Sequence, residues 1–211
     1  MKTQMLKTDL DWLGVKNECR ATVHKDDSEK EPSEKFKKSI LIAEHSPIRE
    51  LKFKWRWGNI KSWIATHYVR HHEGIEKWVS TQRTDRTGID RDNLPQSALV
   101  NIDMEANAQA LINMSKVRLC YQAAPETREY LEDLKYTLHS IDPYLSNVLV
   151  PSCIYRCGCP EMSSCQFFTK WLDTISEGKD PSEVNNMITN IQYRYDAYNE
   201  YFYKNYKGEV K

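Results

Sequence analysis

Leu51, Phe53, Trp55 and Trp57 alternate with Lys52, Lys54 and Arg56. A period of two with apolar residues on one side predicts a strand with one buried face. Upstream, the charged stretch HKDDSEKEPSEK at 24–35 reads as a surface loop. Ser33 then caps a helix in which Phe36, Ile40, Leu41 and Ala43 recur at helical spacing. A helix is expected from Asn59 to about His71, with Ile60, Trp63 and Ile64 inward. WVSTQR at 78–83 suits a short strand or an extended loop, and TDRTGIDRDNLP at 84–95 a loop. Helical periodicity returns at 104–119 and at 126–139. A last long helix begins near Ser182, just past Pro181, where Val184, Ile188, Ile191, Tyr195, Tyr198 and Phe202 form an apolar stripe. Such a stripe packs on its own domain or on a neighbouring subunit. The class these elements define is α+β.

The 211 residues suffice for one core without disulfide support. With 30 basic and 30 acidic residues the net charge is zero, so no global field draws in nucleic acid or a membrane surface. Any anion must be held by a local cluster. The 7 glycines form no repeated phosphate-cradling pattern. No apolar run has the length of a signal peptide core or a bilayer span, which makes the cytoplasm the expected location.

Such a cluster stands between Thr66 and Arg86. THYVRHHEGIEKWVSTQRTDR holds three histidines and three arginines around a Ser-Thr-Gln run. Arginine presents a planar fork of donors that suits phosphate, and hydroxyl and amide groups can read a pyrimidine edge. The same residue types at a helix end also merely complement its dipole.

Four motifs in order resemble the flavin-dependent thymidylate synthase family. Ser46-Pro47 follows a helix as in the family, without the closing histidine. Arg70, His71 and Ser80 match the family's R-H-R…S pattern, while His72, Trp78 and Gln82 depart from it and Arg83 lies one residue past the expected arginine. Arg91-Asp92-Asn93-Leu94-Pro95 completes R-x-x-L-P. Asn107, Gln109, Asn113 and Arg118 then follow without a gap. The resemblance covers roughly residues 15–140.

The resemblance implies C5 methylation of dUMP to dTMP with 5,10-methylenetetrahydrofolate, FAD and NADPH. It assigns substrate contacts to His67, Arg70, Ser80, Gln82, Arg83, Arg91 and Arg118, with Arg70 and Arg118 catalytic. It assigns the flavin to Ser46, Arg70, His71, His72, Trp78, Asn107, Gln109, Asn113 and Gln122. His72, Gln109 and Gln122 replace two arginines and a histidine, and Trp78 replaces a glutamate. Each lost charged contact to a diphosphate is worth about 1.5–3 kcal/mol. The same scaffold serving another pyrimidine nucleotide, a hydroxymethyl product, or nucleotide binding without flavin are the rival readings. The family also implies a homotetramer, and a domain like the family's at 1–149 with a mixed sheet and long helices.

A helical extension at 150–211 carries Cys153, Cys157, Cys159 and Cys165 within sixteen residues. Four thiolates can close a zinc site or hold an iron–sulfur cluster, although C-x3-C-x-C-x5-C is neither a zinc-ribbon nor a ferredoxin spacing. Free thiols, a redox pair or a metal-knuckle interaction module are the other readings. Cys120, two residues past Arg118, reads as a core residue of the helix end.

Overall fold

The computed structural model describes residues 2–206. Four strands, β1 (Thr3–Asp9), β2 (Lys52–Lys61), β3 (Ile75–Val79) and β4 (Leu99–Asn107), form one sheet in the order β1-β2-β4-β3. The helices are α1 (Trp12–Ala21), α2 (Glu34–Ile42), α3 (Ser62–Val69), α4 (Thr84–Thr87), α5 (Ala108–Arg118), α6 (Pro125–His139), α7 (Pro143–Val148), α8 (Ser152–Arg156), α9 (Phe167–Ser176), α10 (Pro181–Thr189) and α11 (Ile191–Asn205), with 3-10 turns at Ser46–Glu50 and Arg91–Asn93. The α+β class stands. Every strand pairing is antiparallel, so the sheet is not mixed: even strands separated by helices return in the opposite sense.

The alternation in β2 buries Phe53, Trp55 and Trp57 completely. They face α3 and α6, where Trp57 meets Tyr68 at 4.4 Å and Tyr130 at 5.5 Å between ring centroids. Its indole N–H donates to Thr3 Oγ1 at 2.9 Å. The opposite sheet face is polar. Arg56 forms two bonds to Asp103, at 2.6 and 2.8 Å, and the Lys54 ammonium lies 4.3 Å from the Trp78 ring centroid.

Three sequence expectations move. The strand continues to Lys61, and α3 starts at Ser62 rather than Asn59. A bulge between Trp57 and Ile60 holds Asn59 at φ 52, with its N–H bonded to Asn101 Oδ1; the bulge turns the strand into the helix. Residues 104–107 belong to β4, because Ile102, Met104 and Ala106 keep a period of two against β2. The final helix breaks at Asn190, whose side chain accepts from Gln192 and Tyr193 N–H and caps α11.

Leu131, Leu134, Leu138, Trp171, Tyr195, Tyr198 and Phe202 are buried in one cluster with the sheet's apolar face. The α11 part of the stripe therefore packs within its own chain. At its centre Lys135 is fully buried; its ammonium nitrogen donates to Ser146 O and Asn199 Oδ1. Burial pushes its pKa well below the ordinary 10.5.

The two central indoles give a stability prediction. Trp55 Nε1 is buried without a hydrogen-bond partner, whereas Trp57 Nε1 has one. Trp57→Phe should therefore cost more than Trp55→Phe by about 1 kcal/mol, the net worth of one hydrogen bond. Urea unfolding of both variants measures the difference, and equal losses would show that the bond contributes nothing.

Candidate functional site

The C-terminal end of α3 divides two clusters. On one side, Ser62, Ala65, Thr66 and Val69 of α3 wall a cleft of about 340 Å³ whose other lining residues include Ser80, Gln82, Arg83 and Arg91. Ser80 is pinned to β4: its N–H donates to Asn101 O, and Asn101 N–H donates to its Oγ, both at 2.9 Å. That pairing launches the loop 80–83 from the sheet beside α3. Arg91 sits in the 3-10 turn, its N–H held by Thr84 Oγ1 at 3.1 Å. Arg83 also lines the cleft, but its guanidinium is held by Asp85 at 2.8 Å.

The other cluster is built on Arg118, the last residue of α5. Its Nε donates to His71 Nε2 at 2.9 Å and its Nη2 to His67 O at 2.6 Å. His67 Nδ1 meets Thr127 Oγ1 of α6 at 2.8 Å. Because His71 Nε2 accepts, its proton must sit on Nδ1 and the ring is neutral. Burial, then Arg118, Lys77 and His72, depress its pKa to about 4. His67 is lowered by burial and by Arg118 and Arg70. Arg118 is itself lowered, chiefly by burial and further by Arg70, so two like charges share this corner.

Among the described residues, no carboxylate pairs with Arg70, Arg91 or Arg118. Uncompensated guanidinium groups around polar concavities suit an anion. Arg70, His67, His71 and Arg118 thus come together, and Ser80, Gln82, Arg83 and Arg91 come together. The lining of that cleft includes no residue of the first group.

The positions assigned to flavin are more dispersed. Trp78 sits on the outer sheet face under Lys54, away from Arg118. Gln109 donates to Glu44 at 2.6 Å and to Asn113 at 3.2 Å, and Lys116 pairs with the same Glu44 at 2.6 Å. Asn107 is used as the cap of α5, accepting from Ala110 N–H at 2.9 Å. Gly74, at φ 68, lies so close that a Cβ would meet the Asn107 amide nitrogen at 2.5 Å. Gln122 donates to Ser163 O of the extension at 2.6 Å. Ser46 opens the 3-10 turn that packs on α5. His72 is exposed, with Lys77 Nζ 3.5 Å from its Nδ1. Thr127 and Glu44, which hold these side chains, carried no sequence signal: each lies within an ordinary helical or turn segment.

The cysteine expectation changes in detail. Among the described residues, no three His, Cys, Asp or Glu side chains already stand as a metal-ligand group, so Cys153, Cys157, Cys159 and Cys165 are not assembled as one. Cys157 takes a left-handed conformation at the end of α8, φ 58 and ψ 43, and its Sγ faces Ile188 O at 3.6 Å. That turn carries its thiol away from the others.

The chain is an α+β protein in which Arg70, Arg91 and Arg118 have no carboxylate partner among the described residues. Residues 89–144, which include Arg91, Asn107, Gln109, Asn113, Arg118 and Gln122, match the model of the family described as thymidylate synthase complementing protein. The structure is similar to that of a UMP/dUMP methylase, PolB, from Streptomyces cacaoi, a crystal structure bound with 5-Br dUMP. The TM-score is 0.56 at 12% identity, over 69% of this chain and 93% of that one. No curated protein sequence matches. The family match bears out the recognition made from the motifs, over the segment it spans, and the structural likeness bears out the fold.

The neutral imidazole generates a prediction. Since the folded pKa of His71 lies below the ordinary 6.5, the unfolded chain binds more protons between about 4 and 6.5. This group's contribution to stability therefore falls as pH drops through that window. NMR titration should show the His71 ring still neutral at pH 5, and Arg118→Ala should raise its midpoint. A midpoint near 6.5 in the unsubstituted protein would contradict the Arg118–His71 bond.

Proposed function

We propose that this chain methylates C5 of dUMP to give dTMP, taking the carbon from 5,10-methylenetetrahydrofolate. The observation that carries the reading is the set Arg70, Arg91 and Arg118, left without carboxylate partners among the described residues, with Arg91 lining a polar cleft. The family match and the nucleotide named for the structural relative support a pyrimidine monophosphate as the anion.

In this reading Ser80, Gln82 and Arg91 receive the phosphate, with Arg83 at the edge of the cleft. Arg118, its Nε and Nη2 fixed by His71 and His67, presents Nη1 to the pyrimidine together with Arg70. Those charges stabilise the anionic ring as C5 becomes nucleophilic, and such preorganised stabilisation is usually the largest catalytic contribution. A neutral His71 can keep Arg118 in place without competing for the substrate's negative charge. Since Arg70 and Arg118 do not line the cleft that holds Arg91, a site joining them would draw on more than one copy, in keeping with a homotetramer. The cytoplasm remains the expected location.

Of the positions assigned to flavin, Arg70, His71 and His72 stand together at the end of α3 and would offer the cofactor one guanidinium and two imidazoles. FAD held there and reduced by NADPH would supply the hydride that completes the methyl group. Gln109, engaged by Glu44, and Gln122, engaged by Ser163, favour one second reading. With a weakened flavin site the same carbon transfer ends in a hydroxymethyl nucleotide, water replacing hydride.

Binding, cofactor, assembly and turnover are each open to measurement. Calorimetry with dUMP should show binding, and Arg91→Ala should weaken it by about 1.5–3 kcal/mol, the scale of a charge-assisted hydrogen bond; equal affinities would remove Arg91 from the site. Purified protein should be yellow and scatter light as a tetramer. With folate, NADPH and FAD present, 5-tritiated dUMP should release tritium, and Arg118→Ala should abolish the release. Mass spectrometry of the product separates dTMP from a hydroxymethyl nucleotide. No release with dUMP, dCMP or UMP would leave nucleotide binding alone.

A further inference from the structure

The cysteine-rich loop meets the rest of the molecule at a place its sequence spacing does not reveal. Cys120 follows the end of α5, and the residues next to it are fastened to the extension. Tyr121 stacks on Phe167 at 4.1 Å with ring planes 9° apart, and Gln122 donates to Ser163 O at 2.6 Å. These contacts bring the segment 120–122 against 163–167, beside Cys165. From below, α8 packs on α5 and carries the buried Cys153. Cys120, Cys153 and Cys165 are thus carried to one corner, and Cys159 lies in the loop 157–166 that joins the last two. The Cys157 thiol has another partner. Its left-handed backbone turns the thiol towards Ile188 O, on the side of α10.

We propose that Cys120, Cys153, Cys159 and Cys165 form a structural zinc site, with Cys120 from the end of α5 in place of Cys157. Four thiolates in tetrahedral array are a complete structural zinc set, with no open position. Packing alone does not account for the group. Cys159 and Cys165 are only partly buried, in a loop, GCPEMSSC, that is otherwise polar and contains the fully exposed Met162. Among the described residues the four thiols do not already stand as a ligand group. Residues 157–166 contain no helix or strand, so this loop can close onto Cys120 and Cys153 when the ion enters. Each thiol gives its proton to solvent as its sulfur binds Zn²⁺, and no change of oxidation state is needed. The site would join the end of α5, two residues past Arg118, to the C-terminal helices. The proposal stands independently of the proposed reaction.

The test is elemental analysis of the full chain, purified without chelator, with four single variants. The unsubstituted protein and Cys157→Ser should each hold about one zinc per chain, as a four-thiolate site requires. Cys120→Ser and Cys159→Ser should lose most of it. Cobalt replacing zinc should give the intense tetrahedral bands and sulfur-to-cobalt charge transfer of a four-thiolate site. Cys159→Ser, in the exposed loop, keeps the test valid if Cys120→Ser fails to fold, and circular dichroism reports folding in each case. Absence of zinc from the unsubstituted protein would overturn the site. Loss of zinc in Cys157→Ser with retention in Cys120→Ser would return the ligand set to the contiguous motif. Iron with acid-labile sulfide would replace zinc by a cluster.

Discussion

The Arg118 guanidinium is the point on which the rest of the site turns. It closes α5 against the end of α3 through His67 O and His71 Nε2. A half-buried cation with no carboxylate partner is costly to hold in a folded chain. The chain meets that cost with neutral acceptors, a carbonyl and an imidazole, which satisfy donors without cancelling charge. The positive field therefore remains available at the surface. Replacing His71 by a carboxylate would give a tighter ion pair and a poorer anion site.

This arrangement depends in turn on how the sheet aims α3. Trp57 packs on Tyr68 and fixes the helix over the inner face, and the bulge at Gly58–Asn59 sets where the helix begins. The inner face of β2 was legible because aromatic and basic residues alternate without exception there. The bulge was not, since it depends on Asn101 reaching across from β4 to bond Asn59 N–H. The end of β4 was missed for a related reason: Met104 joins Ala108 and Leu111 in a helical period as readily as it joins Ile102 and Ala106 in the strand's alternation. Asn190 broke the last helix because its side chain competes for the backbone, although the apolar stripe continues across it.

The site was legible as residue types and not as an arrangement. Arg91 and Arg118 stood in motifs with fixed spacing. No spacing could show that Arg91 would line a cleft with Ser80 and Gln82 while Arg118 bonds His67 and His71, because that follows from the fold. Thr127 and Glu44 act only through contacts made by distant segments. The cysteines show the same limit. Their contiguity suggested one knuckle, whereas the left-handed turn at Cys157 and the approach of α5 regroup them.

Lys135 has a consequence for the heat of folding. Its amine lies in the middle of the helical layer with a carbonyl and an amide oxygen as partners, and its pKa is well below 10.5. Between its folded and unfolded pKa values the folded chain carries one proton fewer at this residue, so folding expels a proton to the buffer. Stability at this position rises with pH across that interval, because the unfolded chain is the form that binds more protons. The enthalpy of unfolding should accordingly differ between buffers of high and low ionisation heat, even at one pH and one midpoint temperature.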